Sequence, residues 1–509
     1  MKLWKFVLLT ALCVLLSACA DIQEASPEPE PTLPGISFEL FRDGYYQVVL
    51  PGWEEAAELD PESIYMVHQE GQFIAVNRYR NLPVLFADQF KSFIDEDPQS
   101  YLVQEGELAG KPFFEFTSRE SDQVLRVQAV LDYCQGQTYA LVVGGRDTLE
   151  NADLFQQVLT SSSCQDPYSI PDLESGKIGL MVNPAMDDFW EGYYPALRLA
   201  KENGVQVIHS YLSWGEIEPV QGQRVWEWQD ALMGYRFEEG FEVSLVVNLI
   251  HTSLRGPMPE DLVGREFDDP EFIARFTDFI LEVLDRYPVS YLSIGNEVND
   301  YFVGHREEIP AYRDFFLAVQ DRIHREHPDV QVGMTFAYHD AERTNALDII
   351  QELNLGDFLP VTLYLYSPLF TFDRDPTELE PTLERILDLA GEKRIAFVEI
   401  GWNTAASLSG NEVDQEAFVR EAFRLLADYQ DRIEFLAWFN LHDNIPENTY
   451  ETAYSFLPEG APQARDDKFM QDFVDFLSYL GLRTSDGGPK PGWVAFQEEA
   501  SKYLYEVQE

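Results

Sequence analysis

The sequence predicts an α/β fold: a (β/α)8 barrel preceded by a smaller α+β sandwich domain. Three observations carry this. From residue 177 onward, eight apolar runs alternate with amphipathic helices or long excursions over about 260 residues, the count and length of a closed barrel. No GxGxxG opens the first of those helices, which disfavours the open, doubly wound alternative. Residues 36–165 instead show strands in a run, with helices between and after them, the pattern of an α+β sandwich. The chain of 509 residues is 45% apolar and 14% aromatic, ample for two cores. Its net charge of −53 argues against nucleic acid or anionic lipid as a partner bound through a broad basic face.

Residues 1–18 read as an export signal. Lys2 and Lys5 flank a basic start, and an apolar run from Phe6 to Leu16 follows, too short to span a bilayer. Leu16-Ser17-Ala18-Cys19 resembles the bacterial lipobox, which implies cleavage before Cys19 and a lipid on its sulfur, hence membrane attachment on the outer side of the cytoplasmic boundary. Residues 19–35, rich in Pro and Glu, read as a solvated tether.

In residues 36–165, strands are expected at Tyr45–Leu50, Phe73–Val76, Pro112–Phe116, Val124–Leu131 and Tyr139–Val143, and helices at Phe86–Phe93 and Leu154–Leu159. The order of these elements is similar to the PsbP-like fold. In an exported chain, Cys134 and Cys164 are expected to form a disulfide, the alternative being two buried thiols. No catalytic constellation falls in this region, which reads as an accessory domain. Residues 166–176 are the linker, and 177–509 the barrel domain.

In a barrel the chemistry sits where strands end. Barrel strands are expected at Ile178–Val182, Val205–Ile208, Val243–Val247, Val289–Ile294, Val330–Phe336, Phe358–Tyr366, Ile395–Ile400 and Ile433–Phe439. The fourth runs into Gly295-Asn296-Glu297, and the seventh contains Glu399 before Ile400-Gly401-Trp402. A carboxylate closing an apolar run is costly unless it has a use. Positions 297 and 399 lie 102 residues apart, three βα units of about 34 residues, so both face one mouth. Two carboxyls across a cleft are the equipment of glycoside hydrolysis.

This Asn-Glu after strand 4 and Glu at the end of strand 7 resemble the clan A retaining glycoside hydrolases. The resemblance implies Glu297 as acid/base, Glu399 as nucleophile and Asn296 as a contact to the sugar 2-hydroxyl. Trp214-Gly215-Glu216-Ile217-Glu218-Pro219, followed by Gly222 and Trp226, is similar to the clan's segment after strand 2. The stretch Gly481–Trp493 resembles its closing segment. Ile250-His251-Thr252-Ser253 and Glu399-Ile400-Gly401-Trp402 resemble endo-β-1,4-galactanases more narrowly.

Among other tip residues, Tyr366 is the candidate to touch the nucleophile, with Tyr364 its rival on the same side of the strand. Trp438 is a sugar-stacking platform or barrel core. Trp402 and Trp214 line the cleft or pack. His251 contacts sugar or serves a structural hydrogen bond. Where many clan members carry an Arg at the tip of strand 2, this chain has Val207-Ile208-His209-Ser210-Tyr211, leaving His209 or a charge from elsewhere to steady the nucleophile. No cofactor or metal is expected, and the partner is a carbohydrate. The competing class is a catalytically inactive carbohydrate-binding surface lipoprotein. The loops Leu254–Asp269 and His442–Asp467 are expected to set the choice of sugar.

Overall fold

The computed structural model describes residues 38–506 apart from 44–45, 57–62, 70, 81–89, 92–93, 95–99, 121–122, 135–136, 147–151, 165–172, 186–188 and 458–460. The expected signal segment, Cys19 and the tether lie outside the described residues, as do the side chains of Cys134 and Cys164 and most of the expected helix Phe86–Phe93. The chain divides into two compact units, Met1–Ser169 and Ile170–Glu509.

In the first unit, strands β1 (Phe38–Asp43), β2 (Tyr46–Pro51), β3 (Glu54–Glu55), β4 (Ser63–Gln69), β5 (Gln72–Arg80), β6 (Ser100–Leu108), β7 (Lys111–Glu120), β8 (Gln123–Cys134), β9 (Gln137–Gly145) and β10 (Ser163–Cys164) form two antiparallel sheets. The larger runs β3-β4-β5-β9-β8-β7-β6. Alternate residues of β5 point to opposite faces, as the pleat requires. Ile74 and Val76 meet Leu154, Phe155, Val158 and Leu159 of the helix Ala152–Ser161. Phe73 and Ala75 pack instead with Phe90, Phe114 and Phe116. Burying both faces of one sheet makes the α+β sandwich.

In the second unit, β11 (Lys177–Leu180), β12 (Val207–Leu212), β13 (Glu242–His251), β15 (Tyr291–Asn296), β18 (Leu359–Leu363), β19 (Ile395–Ile400) and β20 (Ile433–Trp438) are parallel neighbours in a curled sheet. A short β14 (Leu254–Arg255) folds back antiparallel on β13. The fifth barrel position is occupied by two fragments of one strand. β16 (Gln331–Gly333) pairs with β15, and β17 (Phe336–Ala337) pairs with β18. The ring therefore closes through the chain itself, with Thr335 N–H bonding the Gly295 carbonyl at 3.2 Å. Val207, Tyr291, Phe358, Ala396, Val398, Phe435 and Ala437 form one buried cluster.

The helices follow from their sequence. Asp269 caps Pro270–Arg286 by accepting from the N–H groups of Glu271 (2.9 Å) and Phe272 (3.2 Å), and Pro270 supplies a preset φ at the first position. Phe272, Phe276, Phe279, Ile280 and Val283 then fall on one face and are buried. Each such side chain contributes about 1.5–3 kcal/mol. After β20 the chain makes a helical hairpin, Pro446–Ser455 and Asp467–Ser478, joined through Ala453, Met470 and Val474. Among the described residues no helix is long and apolar enough to cross a membrane.

Candidate active site

Glu297 and Glu399 line one cavity of about 580 Å3 at the carboxyl ends of the strands. Strand β19 delivers Glu399. Glu297 follows β15 directly, after Gly295 at φ +93°, where a Cβ would sit 2.6 Å from Val298 Cγ1. Glu297 itself has φ 52° and ψ 41°, the left-handed region that side-chain-bearing residues rarely adopt.

The two carboxyls are held differently. Both oxygens of Glu399 accept phenolic hydrogen bonds, Oε1 from Tyr211 and Oε2 from Tyr364, the latter at 2.5 Å. Burial raises its pKa, and the two phenols oppose that rise by stabilising the anion. Glu297 Oε1 accepts from Thr362 Oγ1 at 2.6 Å. Its pKa is pushed well above the usual carboxylate range, first by burial and then by the charges of Glu399 and Asp300. Of the pair, Glu297 is therefore the one that holds a proton more readily, and Glu399 the one whose anion is hydrogen-bonded. The tyrosines are themselves driven up by burial and by Glu399, so they stay protonated donors.

Asn296 lines the cavity at 2% exposure. His251 also lines it, stacked on Phe456 with ring centroids 4.8 Å apart, and burial lowers its pKa to about 4, leaving it neutral near pH 7. The post-β20 excursion contributes Asp443, Asn444, Asn448, Thr449, Thr452 and Phe456. The excursion Leu254–Asp269 contributes none of the lining, although Thr252 just before it does.

Five expected site residues do not line the cavity that holds both carboxyls. Tyr366 donates to Asp340 Oδ2 at 2.8 Å and lines an adjoining cavity of about 460 Å3 that shares Glu297 and Tyr364, so it is Tyr364, not Tyr366, that touches Glu399. His209 is inside the barrel at 1% exposure, its Nδ1 3.1 Å from Ser244 Oγ, and burial with the Arg236 charge lowers its pKa to about 3. It cannot lend Glu399 a charge; its ring instead meets Tyr211 edge-on at 5.2 Å. Trp438 donates to the Leu480 carbonyl at 3.1 Å and packs on Phe418 at 5.9 Å, in the layer between sheet and helix. Trp402 is fully buried against Phe418 and Phe372. Trp214 stacks on Phe279 and donates to Glu218 Oε2 at 3.0 Å. Glu218 in turn accepts from Gly222 N–H at 2.8 Å and pairs with Arg275 at 2.9 Å, so the Trp-Gly-Glu-Ile-Glu-Pro segment is a structural clasp.

Tyr211 was not foreseen. It stands on β12, the strand where the resemblance leads one to expect an arginine, and holds the Glu399 carboxylate with a neutral phenol. Tyr211→Phe removes one donor that lowers the Glu399 pKa. The acid limb of the pH–rate profile should therefore move to higher pH, and kcat/KM at the optimum should fall about 10- to 100-fold, as for a lost hydrogen bond to a charge. An unmoved acid limb would show that Tyr211 only packs. Among the described residues no group of three or more His, Cys, Asp or Glu is placed to hold a metal ion.

No protein-family model matches this chain, and no curated protein matches it in sequence. Among solved structures, it is similar to a GH5_18 from Bifidobacterium longum subsp. infantis, at 17% identity and a TM-score of 0.45 over 65% of this chain and 80% of that one. A family 39 glycoside hydrolase from Bacteroides cellulosilyticus WH2 matches at 16% identity and TM-score 0.40, over 79% of this chain and 76% of that one. A GH10 endoxylanase retrieved from a sugarcane soil metagenome matches at 15% and 0.44, over 63% and 96%.

Proposed function

We propose that this protein is a retaining β-glycoside hydrolase acting by double displacement on a β-linked oligo- or polysaccharide. The observation that carries the reading is the asymmetry of two carboxyls on one cavity: Glu399 gripped by two phenols, Glu297 kept protonated by burial and by neighbouring charge. In the first step Glu399 attacks the anomeric carbon from one face while the glycosidic C–O bond breaks, and the Glu297 proton passes to the departing oxygen. The negative charge on Glu399 is consumed in the new ester, so Glu297 loses its strongest anionic neighbour and its pKa falls. As a carboxylate it takes a proton from water, whose oxygen displaces Glu399 and restores the original anomeric configuration. No metal or cofactor enters this sequence.

A chain lacking residues 1–35, screened against aryl β-glycosides and β-linked polysaccharides, is expected to release sugar from at least one, with the first-formed anomer still β by NMR. No turnover on any of them would remove the enzyme reading and leave the carbohydrate-binding alternative. An endo-β-1,4-galactanase preference belongs to the same screen.

The same proposal places the enzyme outside the cytoplasm, tethered through lipid on Cys19, with residues 36–165 as a PsbP-like accessory domain stapled by Cys134 and Cys164. Cys19→Ser should abolish labelling by a radiolabelled fatty acid and move the protein from the membrane pellet to the soluble fraction. An unlabelled parent that is equally soluble would refute the anchor.

A further inference from the structure

We infer that Asn248 and Asn440, acting with Asn296, read the ring hydroxyls of the sugar bound at Glu399, and that this sugar is neutral; the inference rests on the glycosidase reading. The three asparagines line the same cavity as Glu399 and come from three different elements. They are 7%, 3% and 2% exposed respectively, and the Oδ1 of each has no hydrogen-bond partner in the protein. An unmatched buried polar atom costs about 1–3 kcal/mol, so three on one cavity wall are hard to reconcile with packing alone.

The backbone fixes each amide in place. Strand β13 slips register against β15 between Val247 and His251, and this bulge carries Asn248. The chain returning from β14 packs so tightly there that a Cβ on Gly256 would fall 1.7 Å from the Asn248 carbonyl oxygen. Gly256 N–H also bonds the Leu249 carbonyl at 3.0 Å. Asn440 follows β20, and its carbonyl accepts from Leu482 N–H at 3.1 Å. A fourth amide on the cavity shows the contrast. Asn183 donates to the His442 carbonyl (2.8 Å) and Asn444 Oδ1 (3.1 Å), and accepts from His442 N–H (2.8 Å), so its capacity is spent inside the protein.

The chemistry selects a hydroxyl-bearing ligand. An amide offers both an acceptor and donors, and a hydroxyl matches both. No Lys or Arg lies among the described lining residues, whereas Glu399, Glu297 and Asp443 do, and the Asp443 carboxylate is already held by Lys490 at 2.7 Å. A uronate carboxylate beside Glu399 would meet like charge with no cation in that cavity to answer it; Arg343 lines the adjoining cavity, which shares Glu297, and is already paired with Asp340 at 2.7 Å. The fitting class is therefore a neutral pyranose.

The test uses the full chain with 4-nitrophenyl β-glycosides of glucose, galactose, mannose, xylose and glucuronic acid, and with monodeoxy analogues of the best of them. The parent should prefer a neutral glycoside to the glucuronide. Asn248→Ala and Asn440→Ala should each lower kcat/KM about 10- to 100-fold on the fully hydroxylated substrate. Each should lose less than about threefold on one particular deoxy analogue, whose missing hydroxyl is the one that amide reads. Asn248→Ser and Asn440→Ser, smaller changes for the fold, should show the same pattern with an unchanged unfolding midpoint. Equal losses on every analogue, no loss, or preference for the glucuronide would overturn the inference. If the parent hydrolyses neither these nor the β-linked polysaccharides of the wider screen, the glycosidase reading fails separately. Saturation-transfer NMR with the free monosaccharides then decides: binding weakened by each substitution supports the amide set, and absent or unchanged binding rejects it.

Discussion

Glu399→Ala is expected to lower turnover of a β-glycoside by roughly 10,000-fold or more, because it removes the attacking atom rather than a contact to it. Azide should restore part of the rate. It would enter from the face that Glu399 occupied and, with one displacement in place of two, leave an α-glycosyl azide. The phenols of Tyr211 and Tyr364 would then line the space that azide enters. Activity within tenfold of the parent, or an inverted first product from the parent itself, would end the assignment of Glu399 as nucleophile.

Glu297→Ala should behave differently on two classes of substrate. With an alcohol leaving group the first step loses its proton donor, and the rate should drop about 100- to 10,000-fold. With a 2,4-dinitrophenolate leaving group that step needs no proton, so the glycosyl-enzyme should still form and accumulate. Azide should then give the β-azide, because Glu399 has already inverted the centre once. The pH profile supplies an independent sign. A group whose pKa is raised keeps its proton as pH climbs and loses it at its elevated pKa, so Glu297 sets the alkaline limb of kcat/KM. That limb should be absent in the variant. An alkaline limb that persists unchanged would assign the acid to another group, with Asp300, itself raised to about 8 by burial and by the Asp340 charge, the first to examine.

The eight barrel strands and the two carboxyls were legible because apolar runs and a Glu at a run's end are local signals. What failed was the last pleat. Strand β12 continues to Leu212, past the expected end at Ile208, and so the tip residue is Tyr211 where the reading took His209. Strand β18 ends at Leu363, before the expected Tyr366, and so the partner of Glu399 is Tyr364. Both errors are two residues, one full period of the strand, which keeps the side chain on its face but moves it along the barrel axis. The tryptophans take the packing alternative, which the sequence left open for a different reason. Apolar length says a residue is buried but not against what, and Trp438 and Trp402 face the helix Glu412–Asp428 through Phe418. Asn248 was hidden by the bulge in β13, which no run of apolar residues announces. In the first unit, β1, β4 and β6 add to the expected strands: Phe38–Asp43 and Ser100–Leu108 carry too many polar residues to stand out, and ladder pairing with β2, β5 and β7 defines the three.

The left-handed turn at Glu297 sets the proposed activity against the durability of the fold. A side chain at φ 52° is disfavoured by about 1–3 kcal/mol, and the carboxyl it presents is withdrawn from water. Glycine at that position would relieve both burdens. Glu297→Gly should therefore unfold at a higher temperature than the parent, by a few degrees in calorimetry, while Glu297→Ala, which keeps the strained backbone, gains less. Selection for heat tolerance without selection for turnover would drift toward glycine there. A homologue found with glycine after the same Asn would be a fossil of lost catalysis, more robust than the enzymes it descended from.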